Sequence, residues 1–211
     1  MTAGDSPIRE PVAIDDDAGV RARLAAGHVA IVGCGGLGSN AAAMLLRAGV
    51  GELTLIDFDI VEETNLNRQL FFRDQLGQPK TAALAETLLR IRPDATLHLH
   101  QARVGADDLL ELVGEADVVI EAVDAAETKA MIANVLLRER PDLPLVSASG
   151  LAGFASANTV VTERVAESFY LAGNHTSDVR HNLPLLASRV MVAAAHEAHA
   201  AVRILLGHPE P

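Results

Sequence analysis

His28-Val29-Ala30-Ile31-Val32-Gly33-Cys34-Gly35-Gly36-Leu37-Gly38 is the stretch on which the fold turns. Its first five residues are a short aliphatic, partly β-branched run cut off by glycines, the pattern of a buried strand. Residues 37–48 are rich in Ala and Leu and are closed by Gly49 and Gly51, the pattern of a helix with a glycine stop. Between the two, Gly33, Gly35 and Gly38 satisfy G-x-G-x-x-G, a motif that carries meaning in a strand–turn–helix context. There the glycines let the backbone approach phosphate oxygens, and the helix N-terminus offers unpaired N–H groups and a positive dipole end. Asp57 ends the next apolar run, residues 53–57, at 19 positions beyond Gly38. A carboxylate at that place accepts hydrogen bonds from ribose hydroxyls. These features read as an adenine-nucleotide site. They leave the chemistry open, because NAD-dependent dehydrogenases share them.

The flanking sequence alternates in the same way. Residues 80–91 put Ala83, Leu84, Thr87, Leu88 and Ile91 on one helical face, and Pro93 stops the helix. Residues 96–101, 117–121 and 143–148 read as strands, and residues 106–113 and 126–140 as helices. Such alternation predicts βαβ units around a parallel sheet. After Gly150 the rhythm changes. Residues 157–162 and 168–171 read as strands with no helix between them, residues 173–182 as a polar loop, and residues 185–206 as a long Ala-rich helix. The expected fold is therefore Rossmann-like α/β. Its sheet is mixed and mainly parallel, with helices on both faces and an antiparallel C-terminal extension. Residues 1–20 are polar, with Pro7, Pro11 and the run Asp15-Asp16-Asp17. They read as an N-terminal arm ahead of a single domain over residues 21–211.

Composition narrows the function classes. At 211 residues, 49% of them hydrophobic, the chain can bury the core of one domain. Aromatics are 3% with no Trp, so that core is aliphatic, as suits a parallel sheet covered by helices. Seventeen Lys and Arg against 28 Asp and Glu give a net charge of −11, which repels phosphate backbones and argues against nucleic-acid binding. One cysteine forms neither an internal disulfide nor a Cys-based zinc site. No apolar stretch approaches the roughly 18 residues of a membrane-helix candidate. The acidic N-terminus lacks the basic start and apolar middle of a signal peptide. The expectation is a soluble cytoplasmic protein with no membrane partner.

Beyond Asp57 the residues move away from hydride transfer. Asp57-Phe58-Asp59 is followed by Asn65-Leu66-Asn67-Arg68-Gln69, then Pro79-Lys80, then Glu121-Ala122-Val123-Asp124 at the end of the fourth strand. Cations beside phosphates, with a carboxylate for Mg²⁺, are the parts of nucleotidyl transfer, where negative charge develops on the leaving oxygen. This combination resembles the ThiF/MoeB/HesA family of E1-like adenylyltransferases. Residues 146–153 and the Ala193-Ala194-Ala195-His196 helix look like the short-form ThiF branch in particular, and the resemblance runs over residues 21–207.

The resemblance implies an ATP- and Mg²⁺-dependent enzyme. It adenylates the C-terminal glycine of a ubiquitin-like sulfur carrier protein with a Gly-Gly tail, releasing pyrophosphate; a ThiS-like carrier of thiamine thiazole synthesis fits best, with a carrier of the molybdopterin or cysteine pathway as the alternative. It also implies that Gly33, Gly35, Gly36 and Gly38 lie against the nucleotide and that Asp57 binds the ribose. Asn65, Arg68 and Lys80 would hold the phosphates, with Gln69 buttressing them. Asp124 would bind Mg²⁺, and Asp59 would act at ribose or metal. Arg68, Lys80 and Asp124 form the catalytic set. An arginine ahead of the first strand reaches the partner subunit's ATP in relatives; Arg9 is the candidate, with Arg21 and Arg23 as alternatives, and this implies a homodimer. The two C-x-x-C pairs that hold zinc in many relatives are missing, so no zinc is expected. No cysteine stands in residues 171–185, so adenylation without an enzyme thioester is expected.

Other candidates read more simply as structure. His196-Glu197-Ala198-His199 has its histidines three apart rather than four, a partly buried helix face. His98 and His100 share one face of a strand at a solvated edge. Glu62 and Glu63 face solvent in a turn. His175, Asp178, Arg180 and His181 fall in the polar loop, for which the resemblance implies a role in guiding the carrier tail. A dehydrogenase, a tRNA-modifying dehydratase and a non-catalytic nucleotide-binding scaffold are the rival readings. The dehydratase needs a basic surface that −11 does not supply, and the scaffold would not need both Arg68 and Lys80.

Overall fold

Among the described residues, seven strands form one sheet in the order β3-β2-β1-β4-β5-β7-β6. The structure is a computed structural model and describes residues 16–174 and 183–211. The strands are β1 (His28–Val32), β2 (Glu52–Ile56), β3 (Thr96–His100), β4 (Val118–Glu121), β5 (Leu145–Ser149), β6 (Val161–Ala166) and β7 (Phe169–Gly173). The helices are α1 (Asp17–Ala25), α2 (Gly36–Ala48), α3 (Lys80–Ile91), α4 (Leu109–Val113), α5 (Ala126–Glu139) and α6 (Ala187–Leu205). β1 pairs in parallel with β2 and β4, and β5 in parallel with β4 and β7; β6 and β7 are antiparallel. This is the mixed, mainly parallel sheet with an antiparallel extension that the sequence predicts.

The order reverses at β1. The chain runs from β1 to β2 and β3 on one side, then crosses to β4 on the other. At such a switch point the loops at the carboxyl ends of the strands part and leave a crevice. Two apolar layers hold the sheet. On one face Val29, Ile31, Leu53, Leu55, Val118, Ile120 and Val146 pack under α2, α3 and α6. On the other, Ala30, Val32, Ile56, Val119 and Leu145 pack under α4 and α5. Ala41 and Ala42 of α2 and Ala193, Ala194 and Ala201 of α6 are buried in the first layer. Small side chains there let helix and sheet backbones approach closely.

Several boundaries differ from the sequence reading, three of them for a clear local reason. The arm was expected to reach residue 20, but α1 begins at Asp17: the Asp16 carboxylate accepts the Gly19 N–H at 2.8 Å and caps the helix. Residues 1–15 lie outside the described residues. The helix expected over 106–113 begins at Leu109, because Asp108 turns back to accept the Gly105 N–H at 2.6 Å. The strand expected over 157–162 begins at Val161; Ala157–Thr159 is a 3-10 turn capped by Ser156. β7 runs on to Gly173, two residues past its expected end.

Candidate active site

A cavity of about 820 Å³ opens where the strand order reverses. Its floor is the glycine turn between β1 and α2. Gly33 holds φ at +98°, and a Cβ on Gly38 would stand 1.8 Å from the Gly33 carbonyl oxygen. The turn therefore closes on itself only with glycine at both places. Gly33, Gly35 and Gly36 line the cavity, whereas Gly38 acts from behind it.

Asp57 follows β2 and is buried. Its Oδ2 accepts the Cys34 N–H at 2.7 Å and its Oδ1 the Asp59 N–H at 2.8 Å. The carboxylate thus ties the glycine turn to the turn after β2, and each oxygen keeps a second lone pair for a ligand hydroxyl. Asp59 Oδ2 lies 3.0 Å from Lys80 Nζ; the lysine side chain is 7% exposed and the aspartate 46%. Lys80 stands at the first position of α3, its stem buried and its ammonium on the cavity wall. Arg68 lines the cavity beside Gly36 and is steadied by the Thr64 carbonyl and the Asn67 side chain. Gln69 also lines it, with Oε1 buried and unpartnered.

Across the glycine turn, Asp124 stands between β4 and α5, exposed and on the cavity wall. Ser149, Gly150, Leu151 and Ala152 after β5, and Leu185 and Val190 at the start of α6, complete that side. One expected residue is placed elsewhere, and one is not described. Asn65 does not line the cavity; its side-chain oxygen accepts the Glu62 N–H at 2.9 Å and closes a local turn. Arg9 lies outside the described residues, as do His175, Asp178, Arg180 and His181. Arg21 and Arg23 lie on α1, which precedes β1 and so sits at the far end of the sheet from this cavity. There Arg21 pairs with Asp17, and Arg23 donates to the Leu205 carbonyl.

The sequence reading missed two supports. Ser39 Oγ donates to the Gly35 carbonyl at 2.6 Å and accepts the Leu70 N–H at 3.0 Å; Asn40 Nδ2 donates to the Gly36 and Arg68 carbonyls at 2.7 and 3.1 Å. Together they bind the 68–70 segment to α2. Two buried polar residues in the first turns of an otherwise apolar helix were the available signal. The second is Glu121, which is 1% exposed and bonded to Lys129 and Ser147. Lys129 also lines the cavity. Among the described residues, therefore, three cations, Arg68, Lys80 and Lys129, and three carboxylates, Asp57, Asp59 and Asp124, face it.

Cys34 is fully buried, and burial pushes its thiol well above the usual range, so it stays protonated and inert at neutral pH. Among the described residues no group of three or more His, Cys, Asp and Glu is placed to hold a metal. His196 bonds Thr162 at 2.9 Å, His199 is exposed, and Glu197 is buried with neither oxygen bonded. This helix face is structural. No helix among the described residues is long and apolar enough to cross a membrane.

A model described as the ThiF family matches residues 11–211. The SAMP-activating enzyme E1 of Haloferax volcanii is 35% identical over 142 residues, 67% of this chain and 52% of that one. The tRNA threonylcarbamoyladenosine dehydratase of Haemophilus influenzae is 33% identical over 131 residues, 61% of this chain and 50% of the relative. The chain thus spans about half the length of these relatives. Among solved structures, the crystal structure of the Escherichia coli tRNA N6-threonylcarbamoyladenosine dehydratase with ATP superposes with a TM-score of 0.81 at 23% identity, covering 89% of this chain and 88% of that one. At that identity the likeness is one of fold.

Proposed function

Because the chain belongs to the ThiF family, we propose that it is an ATP-dependent adenylyltransferase acting on the C-terminal glycine of a ubiquitin-like carrier protein. The observation that carries this reading is the division of the cavity. Backbone N–H groups of the glycine turn, Arg68 and Lys80 suit a polyphosphate, while Asp124 on the other wall has open space in front of it. Asp57 takes the ribose hydroxyls with its remaining lone pairs. Lys80, desolvated and held by Asp59, and Arg68 neutralise the phosphates, and Gln69 buttresses that set from the cavity wall. The carrier carboxylate attacks the α-phosphorus, the bond to the α,β-bridging oxygen breaks, and pyrophosphate leaves. An acyl-adenylate remains. Little proton transfer is involved, so placement and charge account for the rate.

The donor set fits Mg²⁺. A single unengaged carboxylate, with phosphate oxygens and water, is the usual environment of this ion, rather than a cage built wholly of protein. Asp124 would hold it, and when bound it would neutralise charge on the departing pyrophosphate. A second copy supplying Arg9 would complete the site, making the enzyme a homodimer. The absence of a cysteine near the cavity other than inert Cys34 favours release of the adenylate without an enzyme thioester. A thiamine-pathway carrier of the ThiS type is the proposed substrate. The relationship to a tRNA dehydratase supports a second reading, against which the net charge of −11 weighs.

ATP–pyrophosphate exchange with Mg²⁺, measured against a panel of Gly-Gly-tailed carriers and against tRNA, tests both. Exchange that depends on one carrier supports the proposal. Exchange with no carrier, together with tRNA-dependent ATP consumption, overturns it.

A further inference from the structure

Glu121 raises a question that the nucleotide wall does not answer. It ends β4, buried to 1% exposure, where a carboxylate is costly unless bonded and paired. Here it is both. Lys129 Nζ lies 2.9 Å from each of its oxygens, Ser147 Oγ donates to Oε2, and the Val123 N–H donates to Oε1 at 2.8 Å. β4, β5 and α5 thereby fix the carboxylate, and the carboxylate fixes the ammonium. Lys129 is not walled in: its side chain is 26% exposed and lines the cavity near Asp124 and Ser149. Two of its three N–H donors are used by Glu121, which leaves one.

Lys129 reaches the cavity from the β4–β5 side of the glycine turn, and Lys80 from the β2 side. With the polyphosphate placed on the glycine turn and Lys80, the β4–β5 side is the part of the cavity that remains for the acyl substrate. An incoming carboxylate there meets the phosphates, which carry its own sign. Lys129 is the cation among the described lining residues of that side.

We propose that Lys129 binds the terminal carboxylate of the acyl substrate, and that Glu121 is a positioning residue acting through it. This rests on the adenylation reading above.

The test measures binding of one Gly-Gly-tailed carrier, chosen as supporting exchange with the wild type, in two forms. One has its native terminal carboxylate and the other a terminal amide. Titrations use the full chain with a non-hydrolysable ATP analogue and Mg²⁺. The wild type should bind the carboxylate form about ten-fold tighter, the order of one charge-assisted hydrogen bond. Lys129→Gln should bind both forms alike while its affinity for the ATP analogue stays within about two-fold. That variant leaves the Glu121 carboxylate buried and unpaired, so E121Q/K129Q, with amides in place of both charges, serves as the second variant. Lys129→Arg should regain part of the discrimination. If the double variant still prefers the carboxylate as the wild type does, or if nucleotide affinity falls as far as carrier affinity, the proposal is wrong. If the wild type exchanges with no carrier, the adenylation reading fails first and takes this one with it.

Discussion

The two ends of the same sheet handle charge in opposite ways. At the carboxyl ends of the strands, Asp57, Lys80 and Glu121 are buried and bonded, yet Arg68, Lys129 and Asp124 face a cavity. At the amino ends, the polar groups close on one another. His28 Nε2 bonds Thr54 at 2.8 Å, His98 Nε2 lies 2.6 Å from Glu52, and the His28 N–H donates to Asp117 at 3.0 Å. The first end leaves donors and acceptors for a ligand. The second leaves none of these groups aimed at empty space. Function belongs where bonding is deliberately incomplete, and substitutions at the two ends should therefore fail differently.

The largest effect is expected from Lys80→Ala. Removing a preorganised cation from a developing charge costs on the order of 10²–10³ in rate. Asp59, its partner, is 46% exposed and becomes solvated, so no charge is left buried and unpaired. Pyrophosphate exchange should collapse while the thermal midpoint moves little. A midpoint that fell as far as activity would place Lys80 in the architecture rather than the chemistry.

Asn40→Ala comes next. Asn40 touches the cavity only through the Gly36 and Arg68 carbonyls. Loss of that tie should let the segment carrying Arg68 drift, and a misplacement of about an ångström costs up to roughly 100-fold. We expect about a ten-fold loss of exchange rate with KM for ATP raised, in a folded protein. An unchanged KM would show that Arg68 is held by other contacts.

How far the sequence reveals each end follows from the same contrast. The strand–glycine–helix unit and Asp57 follow local rules, so period and spacing place them at the turn, whereas Arg68 and Lys80 are legible through the family resemblance that their motifs carry. Asp124 is legible through the same resemblance, on the motif that closes the fourth strand. Ser39, Asn40 and Lys129 are not, because their partners lie 31, 28 and 8 positions away and only the folded chain brings them together. Asn65 follows the motif but is drawn into its own turn, a competition that short polar side chains often win. The His28 cluster is invisible to any motif, since it joins β1, β2, β3 and the turn before β4.

Glu197 carries the contrast into the core. It is fully buried on α6 with both oxygens unbonded, and burial pushes its carboxyl well above the usual range. The folded state therefore holds its proton while the unfolded chain has released it. A group raised in this way is neutral without cost below pH 4.5, its ordinary value, and costs stability as pH rises above that. Glu197→Gln removes the cost. Its thermal midpoint should exceed that of the wild type by a few degrees at pH 8, with the gain shrinking toward pH 5. An equal midpoint at every pH would show that the carboxyl finds a partner.

His28 is expected to give the smallest effect and the opposite sign. Burial lowers its imidazole below the ordinary 6.5, and His98 beside it pushes the same way, while Glu52 and Asp117 oppose them. The lowered value means that the unfolded chain binds a proton more readily than the folded one. The histidine's contribution is therefore complete above pH 6.5 and is lost as pH falls below it. In His28→Gln the amide can still bond Thr54 but carries no titrating charge, so stability should fall less steeply than in the wild type between about pH 6.5 and 5. Chemical denaturation at several pH values reads the difference directly. Because the cluster closes on itself at the far end of β1 from the cavity, exchange activity at pH 8 should be unchanged. If His28→Gln altered the rate at pH 8, the two ends of the sheet would be coupled, and the separation drawn between them would have to be abandoned.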